Sequence, residues 1–268
     1  DVVVELLDAR IPAASANPML REIIGDKPRV VALNKRDLAD ETMTRRWLEH
    51  FRAKKIPAVA LDSVSGKGMK ELLTLIEREA KYRTERLVSK GVAARKARVM
   101  ILGIPNVGKS SLINRLAGAA KAKTADKPGI TRAKQWIRIG ADVDLLDTPG
   151  ILWPKFEDPR VGLKLAFTGA VNDEIYDLES VAHLLLATLR RDHQERLQER
   201  FKFKEALPET TEGLMDAIGR KRGCLLKGGR IDFEKVQHIL LAEFRMGKFG
   251  KISLDVPPTE AAEEVDDG

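Results

Sequence analysis

The stretch GIPNVGKSS, residues 103–111, has the spacing G-x-x-x-x-G-K-[ST] of a phosphate-binding loop. It follows the apolar run ARVMILG and opens a sequence with helical character. Its glycines permit a tight turn whose amides face inward, and the helix start adds a positive dipole end. The stretch therefore predicts a nucleotide phosphate site between a strand and a helix. The loop residues that we expect to contact the nucleotide are Asn106, Val107, Gly108, Lys109, Ser110 and Ser111.

The phosphate loop and two later segments contain the groups that we expect to bind Mg²⁺ and the γ-phosphate. The Lys109 ammonium is expected between the β- and γ-phosphates, and the Ser110 hydroxyl is expected to bind Mg²⁺. In DLLDTPG, Asp147 can hold the same ion through a water molecule, and the Gly150 amide can contact the γ-phosphate. In KPGITRAKQW, Thr131 is the predicted switch threonine, which binds Mg²⁺ only when the γ-phosphate is present. The candidate catalytic residues are Lys109, Thr131 and Gly150.

An earlier stretch, VVALNKRDL at residues 30–38, has the form of a guanine-reading NKxD loop at the end of an apolar strand. The Asp37 carboxylate can accept hydrogen bonds from the N1–H and the 2-amino group of guanine. Adenine lacks both donors and would leave a buried carboxylate unpaired. Asn34 is expected to brace the loop and reach the base edge, and the stem of Lys35 is expected to cover one face of the ring.

A second base loop follows one helix and one strand later. LDSVSGKG, residues 61–68, resembles the remaining guanine-contact loop of GTPases, so Asp62, Ser63 and Val64 are candidate binding residues. Backbone amides near Ser63 and Val64 are expected to contact the guanine oxygen. The order is thus base loop, second base loop, phosphate loop, switch threonine and DTPG, which is a rotation of the usual GTPase order. Circular permutation is physically permissible because the termini of compact domains often lie close together.

Strand-like and helix-like segments alternate over the first part of the chain, which predicts an α/β fold with a mostly parallel sheet and helices on both faces. The strand-like runs are VVVELLD, RVVALN, IPAVALD, ARVMILG, KQWIRIG and VDLLDTPG. Predicted helices cover residues 41–54 and 68–89, and a third opens near Lys109. After about residue 156 the strand signal disappears, and helical periodicity marks residues 178–201, 210–221 and 232–246.

These patterns predict three parts. Residues 1–156 form the permuted P-loop GTPase domain, residues 157–256 form a small all-α domain, and residues 257–268 form a disordered acidic tail. The net charge of +7 favours a polyanionic partner. Basic residues gather in the all-α part, at Arg190, Arg191, Arg196, Arg200, Lys202, Lys204, Arg220, Lys221, Arg222, Lys227 and Arg230.

Composition excludes several other classes. The 32% of charged residues and the 43% of hydrophobic residues fit a globular protein rather than a disordered one. The single cysteine, Cys224, excludes an internal disulfide and a cysteine-rich zinc site, which favours the cytoplasm. No apolar run approaches the roughly 20 residues that a membrane span requires.

The rotated motif order, together with DARIP at residues 8–12 and EFRMGKFGKISL at residues 243–254, resembles the circularly permuted GTPases of ribosome assembly. Within them the chain is most similar to the ribosome biogenesis GTPase A group, which acts on the bacterial large subunit. The resemblance implies binding of GTP and GDP, GTP hydrolysis with Mg²⁺, and a monomer that binds rRNA and ribosomal proteins. It also implies that Asn106 ligates a potassium ion beside the phosphates.

Hydrolysis is expected to be slow without a partner. Ile151 follows DTPG where many GTPases place a glutamine that orients water, so help is expected from ribosomal particles and potassium. Three alternatives stay open. The chain could be a nucleotide-gated RNA-binding scaffold with negligible turnover, or an adenine-nucleotide enzyme in which NKRD is accidental, and Thr124 could replace Thr131 as the switch residue.

Overall fold

The computed structural model describes residues 1–91, 93, 96–117, 135–139, 143–147 and 158–258. The chain divides into two compact units. One unit comprises Asp1–Phe156 with Ser253–Gly268, and the other comprises Glu157–Ile252. The predicted α/β fold of the first part is confirmed.

Within the described residues of the first unit, six strands form one sheet. The strands are β1 (Val2–Asp8), β2 (Arg29–Asn34), β3 (Ala58–Ala60), β4 (Ala97–Gly103), β5 (Gln135–Ile139) and β6 (Val143–Asp147). Their order is β3-β2-β1-β4-β6-β5, and every neighbouring pair is parallel except β5 and β6. All seven positions of β1 are buried, as expected for a central strand covered on both faces.

The sheet order places the polar loops at one edge. Asp8 is in register with Asn34, and Leu6 is in register with Gly103, so β1, β2 and β4 end together. From β1 the chain adds strands outward on one side and then returns to place β4 on the other side. This reversal is a topological switch point, where α/β proteins bind ligands beyond the carboxyl ends of their strands.

Five helices accompany this sheet within the described residues. They are α1 (Pro12–Ser15), α2 (Leu20–Ile24), α3 (Glu41–Ala53), α4 (Met69–Val88) and α5 (Lys109–Leu116). The Asp40 side chain caps α3 by accepting a hydrogen bond from the Met43 amide at 2.8 Å. Trp47 and Phe51 of α3 pack on the sheet beside Leu33. The sequence did not predict α1 and α2, because four and five residues are too few to show helical periodicity.

The C-terminal segment rejoins the α/β unit. The Leu254 amide donates to the Arg10 carbonyl at 2.8 Å, and the Ala14 amide donates to Asp255 Oδ2 at 2.9 Å. The Asp40 amide donates to Ser253 Oγ at 3.2 Å. The helical unit therefore ends at Ile252 rather than at the predicted residue 256.

Helices dominate the second unit. They are α6 (Pro159–Thr168), α7 (Leu178–Asp192), α8 (Gln194–Phe201), α9 (Thr211–Arg222) and α10 (Phe233–Arg245), with a short 3₁₀ helix at Asp173–Ile175. The prediction of one helix over residues 178–201 is wrong, because His193 has φ −141° and interrupts it. A β-bridge between Leu225 and Ile231 also shows that extended pairing persists after residue 156. Within the described residues, no helix is long and apolar enough to cross a membrane.

Candidate nucleotide site

The side chain of Asn34 joins three loops that are far apart in sequence. It lies at the end of β2 and is buried. Its Nδ2 donates to the carbonyl of Val107 in the phosphate loop at 2.7 Å and to Ser63 Oγ at 3.1 Å. Its Oδ1 accepts from the Ser63 amide at 3.0 Å. The NKRD loop, the second base loop and the phosphate loop therefore form one cluster at the carboxyl edge of the sheet.

The phosphate loop is tight because two of its residues have positive φ. Asn106 has φ +56° and Gly108 has φ +96°. A Cβ on Gly108 would lie 2.3 Å from Asn34 Nδ2, so only glycine fits this position. A Cβ on Gly103 would lie 2.9 Å from the carbonyl oxygen of Leu6. These two glycines are what allows the loop to approach the neighbouring strand and the NKRD loop so closely.

The loop ends in a helix whose N-terminus can receive an anion. Gly108 is the N-cap of α5 and has no side chain with which to occupy the first amides of the helix. Lys109 is buried at the first helical position, whereas Ser110 is exposed at the second. Ser111 is half-buried. A positive dipole end, an ammonium group and an exposed hydroxyl thus occur within three residues, which is a set of groups suited to phosphate and Mg²⁺.

The second base loop is held mainly by its own polar groups. Asp62 Oδ1 accepts from the Val64 amide at 2.8 Å, and the Asp62 carbonyl accepts from the Gly66 amide at 2.8 Å. Burial raises the pKa of Asp62, but hydrogen bonds from Ser65 and from the Val64 amide outweigh it, so the pKa lies below its usual value. The amides of Ser63 and Val64 both donate within the protein, to Asn34 and to Asp62. Contact with a guanine oxygen through either amide therefore requires a shared or exchanged hydrogen bond.

The NKRD loop forms a turn with its acidic residue exposed. Lys35 has φ +61°, and its carbonyl accepts from the Leu38 amide at 2.9 Å. The Arg36 amide donates to the Leu61 carbonyl at 3.1 Å, which ties the turn to the second base loop. The side chains of Arg36 and Asp37 are exposed, so the Asp37 carboxylate is open to a ligand.

The predicted magnesium ligands lie only partly within the described residues. Asp147 is the last residue of β6, and because β6 is parallel to β4, it ends at the same edge as the phosphate loop. The predicted donors are a hydroxyl and a carboxylate, which are hard oxygen ligands that fit Mg²⁺. The side chain of Asp147, and the whole of Thr131 and Gly150, lie outside the described residues, as do Thr124 and Ile151.

Sequence reasoning missed three residues that support this site. Arg115 of α5 donates from Nη2 to the Val64 carbonyl and from Nε to the Ser63 carbonyl at 3.5 Å, which links the phosphate-loop helix to the second base loop. Asp8 and Arg10 form a buried ion pair behind Lys35. Nothing in the sequence spacing indicates the contact of Arg115 with Val64, because the two residues are 51 positions apart.

A P-loop followed by a helix, beside a base loop of NKxD form in a permuted parallel sheet, defines the class of circularly permuted GTPases. Comparison with known proteins gives the particular family. Residues 98–212 match the family model described as "50S ribosome-binding GTPase". The chain is 49% identical over 267 residues to ribosome biogenesis GTPase A of Bacillus cereus, which covers 100% of this chain and 90% of that protein.

Two further comparisons agree. Ribosome biogenesis GTPase A of Bacillus licheniformis is 48% identical over 257 residues, which covers 96% of this chain and 90% of that protein. The GDP-bound structure of TM YlqF superposes with a TM-score of 0.67 at 28% identity and covers 96% of this chain and 94% of that one. The chain belongs to the ribosome biogenesis GTPase A family.

Proposed function

We propose that this protein binds and hydrolyses GTP and acts as an assembly factor for the large ribosomal subunit, with its nucleotide state coupled to rRNA binding. The observation that carries the proposal is the bonding of Asn34 to Ser63 and to Val107, because it unites base-reading and phosphate-binding loops in one site. Family membership adds the ribosomal context, since the relatives are named ribosome biogenesis GTPase A.

Guanine selection is assigned to the exposed carboxylate of Asp37. It accepts from the N1–H and the 2-amino group of the base, while the stem of Lys35 covers one face of the ring. Buried Asn34 keeps its side chain on Ser63 and Val107, so its part is to fix the distance between base loop and phosphate loop. Adenine offers no donor to Asp37 and is rejected for that reason.

Phosphate binding is assigned to the loop amides of residues 106–111 and to the Lys109 ammonium. Ser110 and Asp147 would hold Mg²⁺, with Thr131 joining them when the γ-phosphate is present. The ion would neutralise charge on the β- and γ-phosphate oxygens. The Gly150 amide is assigned to the γ-phosphate.

Slow intrinsic hydrolysis follows from Ile151, which cannot orient a water molecule. A potassium ion held by Asn106 would supply part of the missing charge stabilisation. This role suits the position of Asn106, which is exposed in the phosphate loop with φ +56°. Contact with large-subunit particles would supply the rest.

Binding to rRNA is assigned to the helical unit. Among the basic residues singled out in the sequence, those that are exposed are Arg191, Arg196, Lys202, Lys204, Arg220, Lys221, Lys227 and Arg230. Arg200 and Arg222 are less suited, because each donates to Glu243 at 2.7 Å and is held inside the unit. Phosphate contacts from the exposed set would make binding weaken steeply with salt. We place the protein in the cytoplasm as a monomer that associates with ribosomal particles.

The decisive experiment measures GTP hydrolysis in potassium and in sodium, each with and without large-subunit particles. We expect both potassium and particles to raise the rate. Asn106→Gly is the matched variant, because glycine retains the positive φ while the side-chain oxygen is lost. It should bind GTP normally and lose only the potassium effect. Negligible turnover under all four conditions would instead support the nucleotide-gated scaffold.

A further inference from the structure

A buried ion cluster lies directly behind the guanine-reading turn. It contains Asp8, at the end of β1, together with Arg10 and Lys35. Asp8 is in register with Asn34, so the two strand ends place the Asp8 side chain next to the first residue of the NKRD turn. The Asp8 and Arg10 side chains are each only 2% exposed, which makes water a poor substitute for either partner.

The Asp8 carboxylate has a fixed orientation. Oδ1 accepts from the Arg10 amide at 3.0 Å and from Arg10 Nε at 2.9 Å, and Oδ2 accepts from Arg10 Nη2 at 2.7 Å. This bidentate pairing of guanidinium and carboxylate restrains both the distance and the angle between the two groups. Burial raises the pKa of Asp8, but the charges of Lys35 and Arg10 outweigh it and hold that pKa far below its usual value.

The Lys35 ammonium is held by this carboxylate. Lys35 Nζ lies 3.1 Å from Asp8 Oδ2. Burial holds the pKa of Lys35 below its usual value, repulsion from Arg10 adds to this shift, and attraction to Asp8 opposes it. The ammonium is therefore stable at this point only while Asp8 is charged. With a neutral residue at position 8, Arg10 would repel Lys35 out of the cluster.

We infer that Asp8 is a positioning residue for guanine binding, which acts by fixing Lys35, and that Arg10 fixes Asp8. The inference rests on the proposed guanine site, in which the stem of Lys35 covers the base. With both ends of Lys35 restrained, at its left-handed backbone and at its ammonium, the stem between them is already ordered before guanine arrives. Ordering the side chain in advance removes an entropic cost of binding.

A double-mutant cycle on GTP and GDP affinity tests this inference. Asp8→Asn should weaken both nucleotides about tenfold, measured by isothermal titration calorimetry. Lys35→Met keeps an unbranched stem without the ammonium and leaves Asp8 and Arg10 as a balanced pair. In the Lys35→Met background, Asp8→Asn should cause almost no further loss. Asp26→Asn makes the same chemical change at an exposed position of the same unit and should leave affinity unchanged.

Equal losses from Asp8→Asn in both backgrounds would overturn the inference, because Asp8 would then act through the fold alone. If the Asp8→Asn variant does not fold, Arg10→Lys provides the same test. Lysine retains the positive charge but lacks the planar guanidinium that orients the Asp8 carboxylate. Arg10→Lys should weaken GTP binding about threefold, and only when Lys35 is present. Failure of the unmodified protein to bind GTP or GDP would refute the proposed function, whereas normal binding with no coupling would refute this inference alone.

Discussion

The nucleotide edge of the α/β unit and the helical unit are built in different ways. At the nucleotide edge, polar side chains bond to groups far away in sequence: Asn34 and Val107 are 73 positions apart. In the helical unit, the capping side chains bond to immediate neighbours, although Arg245 also bonds to Asp173, which is 72 positions away. Thr210 Oγ1 accepts from the Gly213 amide at 3.0 Å, and Asp232 Oδ1 accepts from the Lys235 amide at 3.1 Å.

The difference also appears in the backbone. Lys35, Asn106 and Gly108 all have positive φ at the nucleotide edge, where left-handed conformations of non-glycine residues carry strain. In the helical unit, glycines such as Gly169 and Gly223 take the left-handed position at helix ends, where they cost little. Of the four described non-glycine residues with positive φ, Lys35 and Asn106 lie where loops converge at the nucleotide edge, and Lys55 and Lys202 lie just after the helices α3 and α8. A change at the nucleotide edge should affect binding, and a matched change in the helical unit should affect stability alone.

The largest effect is expected from Gly108→Ala. The new Cβ would lie 2.3 Å from Asn34 Nδ2, and the residue would also be strained at φ +96°. GTP affinity, measured by calorimetry, should fall by about 100-fold or more. Gly91→Ala is the control, since Gly91 has φ +83° with no atom within 4 Å of its Cβ position. If Gly108→Ala loses no more GTP affinity than Gly91→Ala, the result would contradict the proposed convergence of the three loops.

The next effect is expected from Asn34→Ala. The substitution leaves the Ser63 amide and the Val107 carbonyl without their side-chain partner. Each of these groups that remains buried without a hydrogen bond costs about 1–3 kcal/mol. GTP should bind about 30-fold more weakly, and the free energy of unfolding should fall by about 2 kcal/mol. Asn172→Ala removes a local cap in the helical unit and should leave GTP affinity unchanged. Normal GTP binding by Asn34→Ala would contradict the bracing role.

A smaller effect is expected from Thr210→Ala. Loss of the hydrogen bond to the Gly213 amide should lower the free energy of unfolding by about 1 kcal/mol, measured by urea denaturation. Thr210→Ser keeps the hydroxyl and should restore most of that stability. GTP affinity should stay unchanged in both variants. A change in GTP affinity would show that the two regions are less independent than their construction suggests.

The smallest effect concerns Tyr176 at high pH. Burial and a hydrogen bond to Asp173 raise the pKa of Tyr176 to about 12 from 10.0. Because the folded pKa is raised, this stabilisation is complete below pH 10 and declines as the pH rises towards 12. Urea midpoints measured across this window should therefore fall more steeply for the unmodified protein than for Tyr176→Phe. Parallel pH dependences would show that Tyr176 does not contribute.

The difference between local and long-range contacts also explains which features could be predicted from the sequence. Caps and helical periodicity are local, so α7, α9 and α10 could be placed from a few neighbouring residues. The motifs at residues 34–37 and 103–111 could be recognised because fixed spacing encodes their turns. The break at His193 and the short α1 and α2 escaped prediction, because neither gives a periodic signal over enough residues.

Contacts between distant residues could not be predicted in the same way. The return of Asp255 to Ala14 joins positions 241 residues apart, and no local pattern indicates it. The same holds for Arg115 on the second base loop and for Asp8 behind Lys35. These residues support the predicted site from behind, and their roles follow from the packing of the folded chain rather than from motif spacing.

The central claim is that loops from the front and the middle of the chain form one guanine nucleotide site. The most direct measurement compares the binding of GTP and xanthosine triphosphate by the unmodified protein and by Asp37→Asn. If Asp37 reads the base, the variant should lose GTP affinity and gain affinity for xanthosine triphosphate. Xanthine has an acceptor oxygen in place of the 2-amino donor of guanine, and the asparagine amide has a donor in place of one acceptor oxygen of the carboxylate. An unchanged preference for GTP would show that Asp37 does not contact the base, and it would contradict the proposed guanine site.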